Sequence, residues 1–172
     1  NQFNNGAVSN AVWSGTSLKS ILSKMNLGQD VVEILFEGAD VGSPAADKNA
    51  EPYLRSLPLD LAMHEDTLLA YEMNGETLPV EHGYPIRLII PGWYGMAHVK
   101  WVNKISAITT PFSGYFQGEK YVLKYEDGTE KPVQEIQVKS AITSPNENES
   151  LKCCETYNVT GQAWAGRNQI KK

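Results

Sequence analysis

The sequence predicts an α+β chain: a mixed α/β part over residues 1–120, then strands of a different texture over residues 121–172. Three observations carry this. Leu18, Ile21, Leu22 and Met25 recur at helical spacing. Short apolar runs follow at residues 31–36, 68–73 and 87–90, bounded by Gly, Pro and Asn turn signals. Beyond Lys120, alternating segments separated by turns resemble the opening strands of a β-sandwich.

Taken in order, Thr16 or Ser17 can cap the first helix and Gly28 can end it. Residues 31–36 read as a buried strand, residues 37–44 as a turn-rich loop, and residues 45–55 as polar and exposed. Residues 57–63 fit either a strand or a short helix. Leu68–Met73 is a strand closed by Asn74-Gly75. Residues 82–85 are a loop, and residues 87–90 a strand stopped by Pro91-Gly92. Residues 99–108 return to an extended pattern. Residues 121–125 and 131–139 flank a turn at 126–129, and residues 141–145 end that stretch. A polar linker at 146–150 precedes an alternating segment at 156–164. There is no internal repeat.

The chain has 172 residues, 41% hydrophobic and 20% charged, which excludes wholesale disorder. A net charge of −5 argues against nucleic acid as the main partner. No apolar run approaches the roughly 18 residues of a membrane span. The sequence opens at Asn1 and closes on a strand-like segment, so it reads as a fragment, and no targeting signal identifies a compartment. Cys153 and Cys154 are adjacent and match no zinc spacing; they are expected to be incidental thiols. The sequons at Asn148 and Asn158 matter only in a eukaryotic secretory context.

Chemistry concentrates in residues 81–101, which hold His82, Arg87, Trp93, Tyr94, His98, Lys100 and Trp101 among Gly83, Gly92 and Gly95. Arg and Lys bind oxyanions, Arg in a bidentate fork. Glycines let backbone N–H groups approach an anion, and aromatic rings can wall a planar heterocycle. The set suits a phosphorylated, ring-containing cofactor, although there is no dinucleotide fingerprint, P-loop or nucleophile elbow. Each residue alone has a plainer reading. His82 can order a turn, Arg87 can form a surface ion pair, and His98 with Lys100 can be an exposed basic edge. Trp93, Tyr94 and Trp101 can be core, and His64, beside Glu65 and Asp66, is solvated. Tyr121 can donate a hydrogen bond to an oxyanion or relay a proton, or simply pack in the core.

Together these segments resemble the sulfite oxidase family of molybdopterin enzymes. The resemblance runs through residues 10–18 (Asn10, Trp13, Gly15, Leu18), 36–40, 68–79, 82–95 (His82-Gly83-Tyr84-Pro85-Ile86-Arg87 and Pro91-Gly92-Trp93-Tyr94-Gly95) and 98–101 (His98-Val99-Lys100-Trp101). Residues 140–145 and 161–166 resemble the start of that family's immunoglobulin-like dimerisation domain. The resemblance implies a sulfite-oxidase-type molybdopterin-binding domain followed by the first strands of an Ig-like sandwich. It implies a Mo-molybdopterin cofactor, oxidation of sulfite to sulfate by oxo transfer, and electrons passed to an external acceptor such as a cytochrome, with no haem in this chain. It further implies a homodimer at full length, and export to the periplasm if the source is bacterial. By the same resemblance Asp40, His82, Arg87, His98, Val99 and Lys100 contact the cofactor, and Tyr121 is the catalytic tyrosine. No metal ligand is assigned here: the family's Mo-ligating Cys is expected upstream of Asn1, and Cys153 and Cys154 do not replace it. Phe3 stands where sulfite oxidases often have a Trp, which weakens sulfite as the specific substrate. Alternatives are a sulfoxide reductase on the same cofactor fold and a non-catalytic relative that keeps only the scaffold.

Overall fold

A computed structural model describes residues 9–171; the reading placed on Phe3 lies outside them. Two antiparallel sheets organise the first part. In one, β2 (Glu33–Gly42) is central, flanked by β3 (Glu51–Pro58) and β7 (Val102–Ile108). In the other, β4 (Leu68–Met73) pairs with β1 (Trp13–Ser17) on one side. Its other side pairs with β5 (Glu76–Thr77) and β6 (Arg87–Ile89) at different points. Alternation explains the burial: Ile34 and Phe36 of β2 both show 0% exposure. They join Leu18, Leu57, Leu69, Leu88, Ile90 and Val99 in one core that draws on both sheets.

Two short helices join these strands. The first, α1 (Leu18–Leu22), is a single turn instead of a helix running to Gly28. Only Leu18 and Leu22 of the apolar set are fully buried, whereas Met25 is 58% exposed, so nothing rewards further helical turns. No side chain caps it; the Leu18 N–H instead donates to the Thr67 carbonyl at 2.8 Å. The ambiguity at residues 57–63 resolves into both elements, because β3 ends at Pro58 and α2 (Leu59–Ala62) follows at once.

The polar middle departs most from expectation. Residues 37–42 continue β2 across a register irregularity, held by the pairings Val41↔Pro52 and Gly42↔Glu51. Within the stretch expected to be exposed, Arg55 is 1% exposed, and the adjoining Ser56 is equally buried. The reason is a polar network. Gln117, itself 2% exposed, accepts from the Ser56 N–H at 3.0 Å and donates to Ser56 Oγ at 2.7 Å. Ser56 Oγ in turn donates to Glu33 at 2.6 Å. Polarity here marks hydrogen-bonded burial.

A π-helical turn over Tyr115–Lys120 leads to the hairpin β8 (Val122–Lys124) and β9 (Glu130–Pro132). A last antiparallel pair joins β10 (Lys139–Ser144) and β11 (Thr160–Trp164). Residues 133–137 do not continue β9. Tyr94 N donates to the Gln134 carbonyl at 2.9 Å and Ile136 N to the Gly92 carbonyl at 2.8 Å, which ties this stretch to the Pro91-Gly92 turn. Among the described residues, no helix is long and apolar enough to cross a membrane.

Candidate cofactor pocket

Two loops build the site, one before β6 and one before β7. In the first, a 3-10 turn over Val80–His82 ends at Gly83, whose φ of 114° strongly favours glycine. In the second, a 3-10 turn over Gly95–Ala97 runs through His98 to Trp101, which sits at φ 50°. That positive φ turns the chain into β7 and explains why the extended stretch starts at residue 102 and not at 99.

The loops are laced together. Trp101 N donates to the Gly83 carbonyl at 3.3 Å, and Trp101 Nε1 to the Val80 carbonyl at 2.9 Å. Lys100 Nζ donates to the Glu81 carbonyl at 2.8 Å while lying 4.2 Å from the Trp101 ring centroid. A Cβ on Gly83 would stand 3.0 Å from Lys100 Cβ and 3.2 Å from Arg87 Cβ, so glycine permits both side chains to converge.

Between the loops and the sheet edge lies a cleft of about 180 Å³. It is lined by Asp40, Tyr53, Arg87, Gly95, Met96, His98, Lys100 and Trp101. Arg87 donates through Nη1 to the His82 carbonyl at 3.1 Å and lies 5.1 Å from the Trp13 ring centroid. Its Nε is buried without a partner. Burial lowers its pKa from the ordinary guanidinium value. His98 Nε2 lies 2.9 Å from the Ile90 carbonyl; a carbonyl only accepts, so Nε2 carries the proton. Burial, with the Arg87 charge as a lesser cause, pushes the imidazole down to about 4, so it is neutral near pH 7. Tyr53 donates to the Met96 carbonyl at 2.6 Å. Burial pushes its phenol up to about 12, with the Arg55 charge opposing.

Four of the seven residues that the resemblance assigned to the cofactor or to catalysis therefore meet in one cleft, Asp40, Arg87, His98 and Lys100, and Trp101 and Gly95 of the same stretch line it with them. The other three lie outside its lining. His82 is exposed and reaches Arg87 through its carbonyl. Val99 is in the core, where its carbonyl accepts from Leu88 N at 2.9 Å. Tyr121 is half-buried and stacks on Phe116 at 6.2 Å; Phe116 in turn lies 4.9 Å from the Tyr53 ring. The plainer reading holds for Trp93, which is 6% exposed in the core, and for His64, which sits in an exposed turn. His98 is not part of an exposed basic edge, because its loop folds inward. Tyr53 and Met96 were not singled out in sequence. Tyr53 sat in a stretch read as solvent-facing, and its alternation with Leu57 was obscured by the intervening Arg55.

An anionic ligand fits this cleft. Two cations, Arg87 and Lys100, face one carboxylate, Asp40, and the buried Arg87 Nε still lacks an acceptor. Among the described residues, no group of three or more His, Cys, Asp or Glu could hold a metal ion by itself. Cys153 and Cys154 are exposed, their Sγ atoms 3.2 Å apart in the segment between β10 and β11.

Comparison with known proteins gives the family. Residues 1–116 match the family described as oxidoreductase molybdopterin binding domain. The chain belongs to this family. Among its relatives, the mitochondrial sulfite oxidase of Homo sapiens is 34% identical over 177 residues, which is 96% of this chain and 31% of the relative. The mitochondrial sulfite oxidase of Macaca fascicularis is 33% identical over 179 residues, with the same coverage. The NADH nitrate reductase of Spinacia oleracea is 32% identical over 182 residues, covering 93% of this chain and 19% of the relative. The chain thus spans about a third of the length of the sulfite oxidases it matches. In structure it is similar to the sulfane dehydrogenase SoxCD from Paracoccus pantotrophus, with a TM-score of 0.71 and 31% identity. That match covers 88% of this chain and 37% of the other. The α+β fold is accordingly of the sulfite oxidase type.

Proposed function

We propose that this molybdopterin-family chain is part of an oxidoreductase that holds Mo-molybdopterin in the Arg87–Lys100 cleft and oxidises sulfite to sulfate. The observation that supports it most directly is the buried, acceptor-less Nε of Arg87 in a cationic cleft. A pterin phosphate supplies the missing acceptor for Arg87, and Lys100 adds a second positive charge. Asp40 accepts hydrogen bonds from donors on the pterin ring. Neutral His98 contributes shape without a third cation, held by the Ile90 carbonyl. Val99 seats the loop through its backbone, and His82 orients Arg87 through its carbonyl. Tyr121 donates its hydroxyl proton in a hydrogen bond to the oxyanion substrate. When bound, the molybdenum cofactor supplies the redox chemistry, and the protein supplies binding and electrostatics.

Electrons pass to an external acceptor such as a cytochrome. Residues 121–172 act as linker and as the opening of an Ig-like dimerisation domain, a reading supported by the antiparallel pair β10–β11. The test uses the complete gene product from a molybdenum-replete host. Metal and pterin contents are measured, and turnover is assayed with sulfite, nitrate and methionine sulfoxide side by side. Sulfite turnover with bound cofactor is expected. Arg87→Met should lower cofactor occupancy by about tenfold or more, the worth of one charge-assisted phosphate contact. Full occupancy in that variant would remove the assignment of the cleft.

A further inference from the structure

Arg55 is a cation in an unusual place. It lies on β3 with 1% exposure. Among the described residues no carboxylate comes within 4.0 Å of it. A buried guanidinium without a counter-charge is costly, so its remaining contacts must account for it. They are two backbone carbonyls: Nη1 donates to Phe116 at 2.8 Å and Nη2 to Val133 at 3.0 Å. Nε has no partner.

The same two residues hold Tyr121 by its backbone. Tyr121 N donates to the Phe116 carbonyl at 3.2 Å, and Val133 N donates to the Tyr121 carbonyl at 2.7 Å. One rigid fork thus joins the π-helical turn that precedes Tyr121 to Val133, the residue after β9 that bonds the Tyr121 carbonyl. The Tyr121 ring continues this order by stacking on Phe116 at an interplanar angle of 22°. A lysine has the charge but not the fork, and could reach one carbonyl at a time.

We infer that Arg55 is a positioning residue for Tyr121, clamping the backbone on both sides of the phenol. The inference rests on the proposed role of Tyr121 only for its effect on turnover; the clamp itself is independent of that role. In support, the Phe116 whose carbonyl Arg55 holds lies between the Tyr53 and Tyr121 rings, at 4.9 Å and 6.2 Å, which places the guanidinium behind the aromatic cluster beside the cleft.

The test labels the cofactor-loaded complete gene product with meta-fluorotyrosine and reads fluorine NMR and steady-state kinetics. Tyr121→Phe assigns the Tyr121 resonance. Arg55→Met should shift or broaden that resonance while exposed Tyr71 on β4 keeps its own. Turnover should fall by about tenfold to a hundredfold in kcat with KM little changed, the usual consequence of a misplaced group. The loss should not multiply with that of Tyr121→Phe. If Arg55→Met does not fold, Arg55→Lys carries the same test, with a smaller shift and a smaller loss. An unmoved Tyr121 resonance in the folded variant overturns the clamp, and so do losses that multiply. A moved resonance with Tyr121→Phe as active as the parent upholds the clamp and removes Tyr121 from the reaction.

Discussion

His98 should make the fold sensitive to mild acid. Its imidazole is pushed from 6.5 down to about 4 by burial, with Arg87 adding repulsion. Above the unfolded value, both folded and unfolded states are neutral at this position, and its stabilising contribution is complete. As pH falls below 6.5, the unfolded chain takes up a proton that the folded one refuses, so stability drops. The loss levels off near the folded value of about 4. At about 1.4 kcal/mol per unit, the window costs about 3 kcal/mol, a large share of the stability of an ordinary domain. The comparison is His98→Gln, whose amide can still donate to the Ile90 carbonyl but cannot titrate. Urea unfolding of the cofactor-free protein, followed by tryptophan fluorescence, gives stability between about pH 7 and pH 4. Carboxylates titrate in both proteins, so the difference between the two pH slopes isolates His98. The parent should lose about 3 kcal/mol more than the variant. Parallel slopes would refute the reasoning, because they would mean that His98 takes up a proton without unfolding.

Two further perturbations test the scaffold of the site. Gly83→Ala forces a Cβ to within 3.0 Å of Lys100 Cβ at a φ of 114°; it should cost about 1–3 kcal/mol by strain and lower cofactor content, read by urea midpoint and pterin fluorescence. Gln117→Leu strips the Ser56 N–H and hydroxyl of their buried partner; a loss of about 1–3 kcal/mol in the same unfolding assay is expected, and an unchanged midpoint would show that the network is not holding β3.

How far the sequence could be read depended on how local the determining physics was. Leu68–Met73 was legible to the residue, since its apolar run ends at an Asn-Gly pair; the two adopt φ of 55° and 81°, as a tight hairpin turn requires. Arg87 at the head of β6 was equally legible, bounded by Pro-containing turns. The helix after Ser17 was overread, because spacing reports which residues could face a core and not how much core is there. Residues 45–55 were read as exposed because Arg55 and its neighbours are polar. Residues 46–50 are exposed as expected, but Arg55 is buried, and its burial depends on Phe116 and Val133, which lie 61 and 78 positions away along the chain.

The candidate site divides along the same line. Its cations and aromatic residues concentrate in one short stretch, residues 81–101, and sequence alone determined that, together with a family resemblance that runs from residue 10 to residue 166. The tertiary structure decided which side chains face the cleft. It turned Val99 into the core and His98 inward onto Ile90, and it brought Tyr53 from a distant strand to the rim. It also placed Arg55 behind Tyr121. Those outcomes depend on pairing between segments far apart in the chain, where burial and hydrogen-bond partners are set by whichever surfaces meet, and no local pattern records that meeting.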